Sequence, residues 1–161
     1  MQDNYLQKIS DRYQVSQIMK TNEESKENGL VLSEEEATAL VEAKRDTLRE
    51  ERRVEFGDSI SPKLIRTFSD SSFINQEDYA QTLARLQEIF FLYKNESMDM
   101  VSDDELLGIM KNAYENESGG DFEYLEGTAL EGFARSVRAG ENWADRYKRE
   151  KLNLGDDFDE L

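Results

Sequence analysis

The sequence predicts an all-α fold, a compact bundle of five to six helices. Three observations carry that expectation. Apolar residues recur at three- and four-residue steps through most of the chain, the spacing that lines one face of a helix. Ser/Thr-x-x-Glu patterns begin at Ser33, Ser102 and Thr128, each ahead of an apolar run, where a capping box opens a helix. No stretch shows the strict apolar–polar alternation of a half-buried strand. A length of 161 residues suits one folded unit with a real core.

The first 20 residues place Tyr5, Leu6, Ile9, Tyr13, Ile18 and Met19 at partly helical spacing, interrupted by the polar run Ser10 to Arg12. A loosely attached helix is expected. Thr21 to Asn28 reads as a polar linker without an anchor, closed by Gly29. Residues 1–28 are therefore set apart from a bundle core at 29–140 and an acidic C-terminal extension at 141–161.

Ser33 and Glu36 form the first capping box. The helix behind it should run to about Arg53, with Ala37, Leu40, Val41 and Leu48 on its core side and Lys44 contributing its stem. Ser61-Pro62 reads as an N-cap followed by proline at N1, opening a short helix with Leu64, Ile65 and Phe68 inside. Ile74 then staples against Tyr79, and Asn75 caps the central helix, which should reach Glu96. Tyr79, Leu83, Leu86, Phe90 and Tyr93 share one stripe of that helix, widened by Ile89, Phe91 and Leu92. So broad a face needs at least two neighbouring helices. Ser102 and Glu105 open the next helix, which Gly119-Gly120 stops. Phe122, Tyr124 and Leu125 suggest a short segment, and Thr128 to Glu131 should cap a last core helix ending at Gly140. Trp143 and Tyr147 suit a final helix ahead of the acidic tail.

Composition limits the chemistry. Lys and Arg total 20 against 36 Asp and Glu, a net charge of −16. That balance opposes direct nucleic-acid binding and attraction to an anionic membrane, and it suits basic partners. The chain has no cysteine and no histidine. Disulfides, thiolate nucleophiles, cysteine–zinc sites, the commonest general base and the commonest transition-metal ligand are thereby removed. The N-terminal residues lack the cationic and apolar regions of a signal peptide, and no apolar run reaches membrane-span length. A cytoplasmic location is expected.

The segments SEEEATALVEAKRDTL (33–48), SPKLIRTF (61–68), FINQEDYAQTL (73–83), SDDELLGIM (102–110) and YLEGTALEGFARSVR (124–138) carry a resemblance. Over residues 29–138 the chain resembles a family of uncharacterised bacterial proteins of the Firmicutes type, a domain of unknown function. The resemblance implies a small helical unit, bacterial and intracellular, and carries over no catalytic or binding residue.

Candidate chemistry is sparse, and no catalytic, cofactor-binding or metal-binding residue is assigned. Glu115 to Glu126 can be laid on a calcium loop with Gly120 at position 6 and Glu126 at position 12. Glu at position 1 and Gly at position 5 spoil the match, and a glycine helix stop before an acidic helix start explains it better. Asp156, Asp157, Asp159 and Glu160 read as a solvated terminus. Arg45, Arg49, Arg52 and Arg53 could hold an anion, but Glu42, Asp46, Glu50 and Glu51 lie within helical reach and point to ion pairs. Asp78 and Glu88, the acids nearest the central apolar face, read as helix-surface residues. A Ser–Lys dyad has no motif to support it.

The expected function is a non-catalytic protein–protein interaction module with an unidentified protein partner and no cofactor. One alternative is an acidic nucleic-acid mimic filling a basic groove, since Glu96 to Glu126 holds ten anions and one cation. A carboxylate enzyme using a divalent metal is the other. An exposed Phe90/Phe91/Tyr93 edge would favour a homodimer.

Overall fold

The computed structural model describes residues 2–140, with side chains from Tyr5 onward. Trp143, Tyr147 and the acidic tail lie outside the described residues. The helices are α1 (Gln2–Lys20), α2 (Asn22–Ser25), α3 (Glu34–Glu50), α4 (Ile60–Phe68), α5 (Tyr79–Glu96), α6 (Asp103–Asn116), α7 (Phe122–Tyr124) and α8 (Leu130–Arg138). No strand occurs among the described residues, so the fold class is all-α. None of the described helices is long and apolar enough to cross a membrane. The chain divides into two compact units between Phe91 and Leu92, inside α5.

In the first unit the core is built from Ile18, Leu40, Val41, Leu64, Ile65, Phe68, Tyr79, Leu83, Leu86 and Phe90, each at most 2% exposed. The stripe expected on α5 is thus the buried one. A buried glutamine ties three helices together there. The Gln87 amide donates to the Leu40 carbonyl (3.3 Å), and its oxygen accepts from the Ser61 hydroxyl. Pairing both ends of the amide is what permits a polar group at full burial.

The Ser33 capping box forms as expected. The Glu36 amide donates to Ser33 Oγ (3.0 Å), and the Ser33 amide donates to the Glu36 carboxylate (2.9 Å). Three other expectations are corrected. The segment Thr21 to Asn28 is helical and anchored, not a free linker. Thr21 and Ser25 are buried, the Ser25 hydroxyl donates to the Leu30 carbonyl (2.7 Å), and Asn22 exchanges two hydrogen bonds with the Leu32 backbone. Short polar side chains satisfying the backbone, invisible to an apolar count, supply that anchor. The cap of α4 is Ser59, two residues earlier than Ser61, so Pro62 still falls in the first turn where its missing N–H costs nothing. Asn75 makes no side-chain cap. A 3₁₀ turn at Gln76–Asp78 leads into α5, and the Gln76 amide exchanges hydrogen bonds of 2.8 and 2.9 Å with the backbone of Val31.

In the second unit, Tyr93, Leu106, Met110, Tyr114, Leu125, Leu130, Phe133 and Ala134 are buried, and Tyr114 stacks on Phe122 at 5.4 Å. The Ser102 box forms, with bonds of 3.1 and 3.2 Å. The third expected box does not. Asp121 accepts from the amides of Glu123 and Tyr124, so the helical run starts at Phe122. Thr128 then lies inside a π turn, Leu125–Ala129, between α7 and α8. An earlier, better-placed carboxylate cap makes the threonine redundant.

Candidate functional site

Lys44 organises the most polar interior of the first unit. It sits on the α3 face that also carries Ala37, Leu40 and Val41, so the helix drives it inward. Sequence reasoning buried only its stem; the ammonium is buried too, leaving the side chain 4% exposed. Lys44 Nζ donates to Gln14 Oε1 (2.6 Å), Glu55 Oε1 (2.6 Å) and Ser59 Oγ (2.8 Å). The second Glu55 oxygen accepts from the Ile60 amide at the start of α4 (2.9 Å). One residue along, Arg45 pairs with Asp11, and Arg49 lies 3.7 Å from Asp46. The cluster therefore fastens α1, α3 and the connection 51–59 to one another.

Two cavities flank it. One of about 450 Å³ is lined by Tyr13, Gln17, Glu55, Ser59, Pro62 and Arg66 among others. The other, about 430 Å³, is lined by Asp11, Arg45, Leu48, Arg49, Arg53 and Val54 among others. Lys44 and Ser59 stand at the spacing of a Ser–Lys dyad, but the wiring is wrong for one. Three acceptors around one nitrogen fit an ammonium with every N–H in use and no lone pair to take a proton from Ser59. The nearby donors that could serve an oxyanion are engaged as well. The Ile60 amide holds Glu55, and the Ser61 amide points to Ser59 Oγ.

The remaining candidates disperse. Asp121 is consumed as a helix cap and Glu126 lies in the π turn, so the Glu115–Glu126 segment is a helix stop and restart. No group of three acids that could hold a metal ion exists among the described residues. Asp78 is exposed, and Glu88 pairs with Arg85 on the surface (3.2 Å). The arginine set is ion-paired at Arg45 and Arg49. The Asp11 partner on α1 went unforeseen because it lies 34 residues away. Arg52 ends α3 in the left-handed region, φ 56.

The second unit has its own polar device. In the π turn the Leu130 amide bonds back to the Leu125 carbonyl. The Glu126 carbonyl, whose α-helical donor would be that amide, accepts the Tyr93 hydroxyl. Burial first, then the carboxylates of Glu131, Glu126 and Glu96, holds the Tyr93 hydroxyl far above the ordinary phenol range. Arg138 offsets that negative charge, reaching Glu96 (3.1 Å) and Glu131 (3.4 Å). Lys94, also buried, clasps the Val101 carbonyl (2.8 Å) and Asp103 (3.0 Å). Phe90, Phe91 and Tyr93 are all under 5% exposed, so the edge that would have favoured a homodimer is not on the surface.

A family model described as a family of unknown function, DUF6323, matches residues 17–143. The chain belongs to this family. The match contains the expected span 29–138 and reaches beyond it at both ends. Within DUF6323 territory lie the Lys44 cluster, apart from Gln14 and Asp11 on α1, and the whole Tyr93 and Lys94 arrangement. No curated protein and no solved structure matches the chain.

Proposed function

We propose that this member of DUF6323 is a non-catalytic protein–protein interaction module. One observation carries the reading: large apolar side chains of the first unit stand open to solvent. Phe56 is 86% exposed, Val54 68%, Tyr5 67%, Tyr13 66% and Leu6 63%. A chain with that much charge has ample polar residues for its surface, so this degree of aromatic exposure supports a binding role. The buried polar groups support it from the other side, since Lys44, Gln87 and Lys94 each use their donors to hold backbone and helices together.

The acidic-mimic and carboxylate-enzyme alternatives draw less support. Within the run Glu96 to Glu126, Glu96, Asp103, Glu105, Glu115 and Asp121 are engaged in ion pairs or caps. A cytoplasmic setting belongs to the same proposal, supported by the cysteine-free, strongly acidic composition. Gentle affinity purification of the full chain from the cells that make it is expected to return a stoichiometric protein partner. Elution of the chain alone at its monomer mass would overturn the reading.

A further inference from the structure

Helix α1 is turned inside out relative to its composition. Asp11 and Gln14, on the side that meets α3, reach Arg45 and Lys44, and Ile18 is the one fully buried apolar side chain among its described residues. Tyr5, Leu6, Ile9 and Tyr13 occupy the opposite stripe at helical spacing and stand 47–67% exposed. Together they leave on the order of 500 Å² of mostly apolar surface open, near the upper end for a monomer's largest patch.

The charges beside that stripe identify what it suits. Lys8 and Arg12 lie one turn apart on its edge, exposed. In a chain of net charge −16, almost every described cation has a carboxylate partner or another contact; Lys8, Arg12, Lys20 and Arg52 are the described cations with neither. Three of those four are on α1. Beyond Lys8 and Arg12 a groove of about 370 Å³ continues past Val15 and Met19 toward the start of α3. Apolar knobs, unpaired cations and a groove match an amphipathic helix with an acidic flank, the helix-in-groove mode of recognition. A second copy fits less well, because an isologous pair would set this cationic edge against the same patch. An anionic membrane fits less well too, because a stripe of about two turns offers little apolar area to bury in a bilayer interface.

We propose that the outer face of α1, Tyr5/Leu6/Ile9/Tyr13 with Lys8 and Arg12, docks an acidic amphipathic helix of a partner protein. This rests on the interaction-module reading and names its surface. The test places a photo-crosslinking phenylalanine derivative at Ile9 or Tyr13 of the full chain, and for comparison at Met100 or Tyr124, in cells that make the protein. Adducts are then sequenced. The expected adduct from Ile9 and Tyr13 is a peptide of net negative charge with three- and four-residue apolar spacing. Its yield should fall at least tenfold in a Lys8→Glu/Arg12→Glu variant whose circular dichroism is unchanged. A lipid adduct, an adduct with a second copy, a neutral or basic peptide, or a yield indifferent to the charge reversal overturns the proposal. Protein adducts from Met100 or Tyr124 alone would refute the α1 surface and leave the module reading standing. No adduct from any position would refute both.

Discussion

Two helix-to-helix connections, one in each unit, solve the same problem by different reach. Residues 51–59 link α3 to α4, and residues 97–102 link α5 to α6. Each has a left-handed non-glycine residue at its second position, Arg52 and Met98, both at φ 56, and in the second connection Asp99 follows at φ 56 as well. Each such stop is closed by the amide of the following residue reaching back five residues, Arg53 to the Leu48 carbonyl and Asp99 to the Lys94 carbonyl. Both connections end on a serine N-cap, Ser59 and Ser102, and both are clasped by a buried lysine from the helix before. Lys94 holds its own connection through Val101 and the first residue of the next helix, Asp103. Lys44 holds its connection and α1 besides, through Gln14. A local clasp stabilises a turn, whereas one that recruits a distant helix also ties the turn to that helix's packing.

The largest expected effect breaks the long-reach clasp. Lys44→Ala removes the only counter-charge among the described residues that is hydrogen-bonded to Glu55 Oε1, whose side chain is 18% exposed, and strands the Gln14 acceptor. A loss of about 3 kcal/mol is expected in urea denaturation, at the low end for a broken buried pair because Glu55 keeps some solvent. Adding Glu55→Gln should recover part of it, and a fully additive double mutant would show the pair to be uncoupled. Lys94→Met should cost less, about 1–2 kcal/mol, because Asp99 and Asp103 are about half exposed and water screens them. Equal losses at the two lysines would erase the distinction between the clasps.

Alkaline pH probes one buried phenol in each unit. Burial raises the Tyr79 hydroxyl above its ordinary value of 10.0, with Ser25 close by and partly offsetting that rise, and Tyr93 is raised further. The folded state holds these protons more tightly than the unfolded chain does. Stability is therefore full below pH 10, the ordinary phenol value, and is lost as pH rises beyond it, since the unfolded chain gives up its protons first. Denaturation midpoints measured across that range should fall with pH, and Tyr93→Phe should flatten the decline at a cost of about 1 kcal/mol near neutrality. The smallest effects concern the helix stops. Arg52→Gly and Met98→Gly should each stabilise by about 0.5 kcal/mol, the relief of left-handed strain exceeding the added entropy of the unfolded chain. A loss at either would mean that the native side chain makes a contact worth more than the strain.

What could be read from the sequence follows the same line between near and far. The boxes at Ser33 and Ser102 were legible because donor and acceptor lie three residues apart, and the α5 stripe because helical periodicity alone defines it. Lys44 looked like a stem because its acceptors lie 30, 11 and 15 residues away. Thr128 misled because a motif shows that a cap can form, not that Asp121 forms one first. The apolar stripe of α1 was visible, but periodicity names a face without saying which way it points. Only the ions waiting on α3 decide that.

A helix seated on ions also has an unusual way of leaving. Detaching α1 would break the Asp11–Arg45 ion pair and the Gln14–Lys44 hydrogen bond, so its release should respond to salt as well as to urea. Amide hydrogens between residues 5 and 17 should then exchange ahead of those in α5, as a separately opening segment whose rate climbs with ionic strength.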